Sequence, residues 1–118
     1  MRIKLFILYD KEEGTYLNEA NIVKKIDQSK NNYDIKCFTS LSSAKSFLTT
    51  RLKAIKRHIV QAERPYIKIP NKEDFVQAQT LEFQNLLKLK ISSIDIDISN
   101  KSISIEDVFS ALVSNGFI

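Results

Sequence analysis

The sequence predicts an α+β fold. The expected architecture is one small domain, a mostly antiparallel sheet against a long helix at about residues 41–63 and a short C-terminal helix at about 105–114. Three observations carry this expectation. Residues 3–9 are rich in β-branched and aromatic side chains and contain no breaker. Leu41, Ala44, Leu48, Leu52, Ile55, Ile59 and Ala62 recur at steps of three and four, one apolar stripe on a helix. After residue 87 the apolar positions alternate two by two.

The elements follow in chain order. Residues 3–9 form a strand, and residues 10–14 a charged turn in which Gly14 supplies a positive φ. Thr15, Tyr16 and Leu17 return as the second strand of a hairpin. Residues 18–32 are polar, with apolar side chains at Ile22, Val23 and Ile26, and read as a strand or short helix and then a loop. Residues 33–38 alternate in part and read as another strand. Ser40 or Ser42 caps the long helix by accepting a first-turn N–H. That helix ends before Pro65, because the residue preceding a proline disfavours helical geometry.

Asn71 and Asp74 form a capping box for a second helix through Phe75, Val76 and Ala78. Residues 81–87 fit helix and strand equally. Leu87, Leu89 and Ile91, then Ile94, Ile96 and Ile98, read as strand, and their parity switches at Ser92–Ser93, which a β-bulge or bend would produce. Residues 99–102 are a turn, Ile103 and Ile105 pair back across it, and Ser104 with Asp107 caps the last helix. Asn115–Gly116 stops that helix. Strands and helices mix without βαβ alternation, which places the chain in α+β.

Composition sets the limits. A chain of 118 residues with 43% hydrophobic and 27% charged side chains holds one domain and one core. At that size about 65% of the unfolded surface is buried, so neither disulfides nor metal are needed for folding. Cys37 is the only cysteine and His58 the only histidine, which excludes an intrachain disulfide and a cysteine-based zinc site. Gly14 and Gly116 are the only glycines, so neither a dinucleotide fingerprint nor a P-loop can be built. The longest apolar run, residues 5–9, is far short of the ~20 residues of a membrane span. Acidic residues follow it where a signal peptide would have small ones. The expectation is a cytosolic protein with no membrane contact.

Charge is segregated along the chain. Residues 1–35 hold six basic and six acidic groups. Residues 36–72 hold nine basic groups against Glu63 alone, a net +8, and residues 73–118 hold three against seven, a net −4. The formal +4 is the remainder. On a helical wheel Lys45, Lys53, Lys56 and Arg57 share one arc beside the apolar stripe, with Arg51 and His58 nearer its other edge. Such a face can lie along a phosphate backbone. It can equally meet an acidic protein surface, or be the solvated side of an amphipathic helix. No aromatic residue shares the arc, which argues against base stacking there.

No constellation points to catalysis. Asp95 and Asp97 share one strand face and could hold Mg²⁺ in a nuclease, but the same alternation describes a half-solvated strand. Cys37 reads as a small packed residue, with a reactive thiolate as the sharper alternative. His58 beside Arg57 lacks a partner. The expectation is therefore no enzyme, no cofactor and no metal site.

The N-terminal half carries a strand, a charged turn with glycine and Tyr16-Leu17. A polar stretch follows, and then Phe38-Thr39-Ser40-Leu41-Ser42-Ser43-Ala44-Lys45 opens a long basic helix. This resembles a layout in small accessory proteins of tailed bacteriophages, where an F-x-S-x-x-x-A-K turn opens the helix. The likeness covers about residues 3–60 and its motif is short. It implies a host-takeover or defence-blocking factor in the host cytoplasm, acting by stoichiometric binding to a host protein or protein–nucleic acid complex, and it carries over no residue role. The expected contact surface is Lys45, Lys53, Lys56 and Arg57, with nucleic acid as the alternative partner. An exposed edge strand at residues 3–9 would permit pairing with a second copy.

Overall fold

The structure, a computed structural model, describes residues 2–26, 34–97 and 105–116. Seven elements follow in order: β1 (Arg2–Asp10), β2 (Thr15–Leu17), β3 (Val23–Lys25), α1 (Leu41–Ala62), α2 (Lys72–Lys88), β4 (Lys90–Asp97) and α3 (Ile105–Ser114). The strands make one four-stranded sheet in the order β3-β2-β1-β4, antiparallel at every pairing. The α+β class, the long helix and the C-terminal helix stand as expected.

β1 is interior, flanked by β2 and β4, and so is not the free edge that residues 3–9 suggested. Its unbroken apolar run has a direct cause: both faces of the strand are covered. Leu5, Ile7 and Tyr9 pack with Ile94, Ile96, Ala111 and Leu112 on one face. Leu8 packs with Phe38, Ala44, Ile55, Leu86 and Leu89 on the other, with Phe6 and Ile91 beside them. α3 closes the first face and the α1–α2 hairpin the second.

The same two-sided burial removes the bulge expected at Ser92–Ser93. β1 and β4 pair without interruption from Arg2↔Asp97 to Tyr9↔Lys90. Opposite residues share a face, so Ile94 and Ile96 point towards α3, whereas Leu89 and Ile91 join the hairpin side. The apolar parity switches because the covering layer switches, with the backbone left regular. Leu87 lies in α2 and not in the strand, and residues 81–87 are helical.

Other expectations change or fall outside. Residues 34–38 make only isolated bridges, Phe6↔Phe38 and Asn18↔Ile35, where a strand over 33–38 was expected. Asn71 precedes α2 in the left-handed region (φ 54°) and its side chain makes no cap bond, so the Asn71–Asp74 capping box does not form. Glu73 and Asp74 instead favour the first turn by charge, and Lys88 the last. Tyr33, Ile98, the turn at 99–102, Ile103 and the Ser104 cap lie outside the described residues, and Ile105, expected to pair back as strand, begins α3. Ser40 does cap α1, accepting from Ser43 N–H at 3.1 Å. α1 stops at Ala62, three residues before Pro65. Gly14 has the positive φ expected of its turn, at 63°.

The molecule is elongated, 57 × 31 × 22 Å. α1 and α2 form an antiparallel hairpin, and 22 residues give α1 a length of about 33 Å. The proximal part of the hairpin lies on the sheet through Ala44, Ile55 and Leu86. No described side chain from residues 60–79 belongs to either core cluster. No helix among the described residues is long and apolar enough to cross a membrane.

Candidate functional site

α1 positions the basic residues through its helical repeat. Ile55 and Ala62 point inward and are buried, which leaves Lys53, Lys56 and Arg57 exposed. These three ring a shallow depression of about 370 Å³ with Val60, Gln61 and Arg64. Lys45 is also exposed but lies outside the depression, eight residues earlier and so about 12 Å along the axis from Lys53. None of Lys45, Lys53, Lys56 and Arg57 pairs with a carboxylate among the described residues. Arg51 does: its guanidinium pairs with Glu82 of α2, so it leaves the basic set.

Val60, Arg64 and Tyr66 escaped the sequence reading as site residues. Val60 falls off the apolar stripe of α1, between the cations, and the structure leaves it 50% exposed. Its wheel position was the signal that could have found it. Lys56 and Arg57 stand four and three residues before it, the spacing of neighbours on a helix surface. Arg64 follows the helix and donates from Nη1 to the Tyr66 hydroxyl at 2.9 Å. Tyr66 is 73% exposed, so an aromatic ring stands beside Arg64, while the helical arc itself carries none, as expected.

Nor is the neighbourhood free of acid in space. Glu63 caps α1, and the hairpin brings exposed Glu73 and Asp74, in the first turn of α2, to the same end. An extended polyanion laid along this end would meet those carboxylates as well as the cations.

The other constellations are accounted for locally. Asp95 and Asp97 are exposed at the end of edge strand β4, and Asp97 pairs with Arg2 at 3.5 Å. With Asp107, Ser110 and Asn115 they line a groove of about 310 Å³ beside α3. No group of three or more His, Cys, Asp or Glu among the described residues could hold a metal ion. Burial, helped by Glu19, pushes the Cys37 thiol up to about 11, so it is protonated near neutral pH and a poor nucleophile. His58 is exposed on α1.

A polar knot unseen in the sequence ties β2 and β3 to residues 34–36. Tyr16 donates its hydroxyl to Asp34 Oδ1 at 2.6 Å, and Asn18 Nδ2 and Lys24 Nζ reach Oδ2 at 3.3 and 3.4 Å. Burial raises the Asp34 carboxyl, but the bonds from Tyr16, Lys24 and Asn18 and the Lys24 charge together outweigh it and hold it below its ordinary value. Burial, with the bond and charge of Asp34, pushes the Tyr16 phenol upward. A third concavity, of about 480 Å³, lies between Ile22 and Val23 on one side and Leu81 and Asn85 on the other, with the Arg51–Glu82 pair in its lining. No family model matches the chain, and neither a curated protein nor a solved structure matches it.

Proposed function

We propose that this chain is a non-catalytic binding protein that engages a macromolecule stoichiometrically through the outer face of α1. One observation supports the reading. Lys53, Lys56 and Arg57 are exposed, unpaired among the described residues, and gathered around a half-exposed Val60 where the hairpin leaves the core. Folding has no evident need of that arrangement. The resemblance of residues 3–60 to phage accessory proteins adds the expectation of a host target in the host cytoplasm, inhibited or modulated by binding.

The test is a capture experiment with the full chain and with the Lys53→Glu/Lys56→Glu/Arg57→Glu variant, each with and without nuclease. The expected result is a partner retained by the wild type after nuclease and lost by the variant. Equal capture by both chains removes this face. A partner lost on nuclease treatment reassigns the face to nucleic acid, with retention that falls steeply as salt rises.

A further inference from the structure

We infer that the partner presents a protein segment carrying carboxylates around an apolar side chain, and that this side chain seats on Val60. The inference rests on the assignment of the α1 face and names the chemistry of what covers it.

Three features of the surface select a polypeptide over a nucleic acid. First, the centre of the depression is apolar. Val60 stands among Lys53, Lys56, Arg57 and Arg64, all lining one concavity. Protein interfaces have this anatomy, an apolar centre desolvated by a polar rim, whereas phosphate recognition has no use for a central valine. Second, Arg64 of the lining donates a hydrogen bond to the exposed Tyr66, just beyond it. These are residue types enriched where binding energy concentrates. The Tyr66 hydroxyl is held by that bond, and one such ring does not make a row of stacking platforms for successive bases. Third, Glu63, Glu73 and Asp74 occupy the same end of the hairpin. They repel a continuous phosphate backbone, which cannot avoid them, but spare a short segment whose carboxylates are placed over the cations alone.

Charge complementarity sets the rest of the partner. Four cations in the concavity carry no carboxylate of their own among the described residues. Two or three carboxylates flanking one Leu, Ile, Val, Phe or Met at helical spacing would answer them.

The experiment selects peptides of about 16 residues from a displayed random library on the immobilised full chain. Counter-selection uses the Lys53→Glu/Lys56→Glu/Arg57→Glu variant. Expected are peptides that combine Asp or Glu with a large apolar residue. A synthetic consensus peptide should lose about fivefold in affinity for Val60→Ser, and the same loss, not added to the first, when its own apolar residue is changed to Ser. Val60 is half exposed, so circular dichroism and melting temperature should match the wild type and certify the variant as folded.

Enriched peptides without carboxylates overturn the inference, as does an affinity unchanged by Val60→Ser. So does an oligonucleotide of about 20 nucleotides that outcompetes the peptide at matched salt. A selection that enriches nothing overturns it too, while the α1 face survives if capture still depends on Lys53, Lys56 and Arg57. Capture indifferent to those residues removes the face itself.

Discussion

The two halves of the α1–α2 hairpin are built from the same kind of helix and do different work. The proximal half is welded to the sheet: Ala44, Ile55 and Leu86 pack with Leu8, Leu17 and Phe38 in one cluster. The distal end, residues 60–79, adds no described side chain to either cluster and keeps Val60 and Tyr66 exposed, although Ala62 is buried. Stability is therefore set near the sheet, and the freedom to present a contact surface lies beyond it. The basic residues bridge the boundary, with Lys45 over the welded half and Lys53 to Arg64 running outward.

Substitutions can break this contrast. The largest effect is expected for Ile55→Ala, which empties a fully buried site and should cost about 2–5 kcal/mol. Val60→Ala, a few residues on, should cost less than about 0.5 kcal/mol. Urea unfolding of both variants checks the pair, and equal losses would dissolve the distinction between the halves. Next comes Glu82→Ala, which strips a partly buried Arg51 of its partner. Both side chains are about one-third exposed (36% and 28%), so solvent limits the expected loss to about 1–2 kcal/mol. Replacing Arg51 by Met as well should recover part of it.

Asp34→Asn sharpens the role of the polar knot through its pH dependence. The folded carboxyl titrates below its unfolded value of about 3.9. Its contribution is thus present above that pH and is lost as pH falls through the folded value. The stability gap between wild type and Asp34→Asn should be constant near neutrality and shrink below about pH 4. A gap that persists into strong acid would show that the carboxylate charge is not what the knot uses. The smallest effect on folding is expected for Lys53→Glu/Lys56→Glu/Arg57→Glu, within about 0.5 kcal/mol of wild type in the same urea assay, although binding should be lost.

Much of the fold was legible because it is local. α1 was readable to within a residue or two: its apolar stripe, its Ser40 cap and Pro65 all act within a few residues of where they stand. The run at residues 3–9 announced a strand, and Gly14 its turn. Residues 81–87 stayed ambiguous because α2 buries only Leu86 and so shows a faint stripe. Of the contact surface, Lys53, Lys56 and Arg57 were visible as one arc. Arg64 and its hydrogen-bond partner Tyr66 were not, since they follow the helix and Arg64 comes to the depression only through the turn.

The sequence by itself determined periodicity, and with it which residues form helix and which strand, and it determined how charge is distributed along the chain. Tertiary structure decided what each periodicity faces. It placed a layer on both sides of β1 and β4, turning an apparent bulge into a regular strand that changes cover midway. It set Glu82 against Arg51, 31 residues away, and brought Glu73 and Asp74 to the end of a stretch that reads as nearly acid-free. The physical reason is common to all three. A side chain's direction follows from its own backbone, but its neighbours and its net charge environment depend on chain segments that meet only on folding.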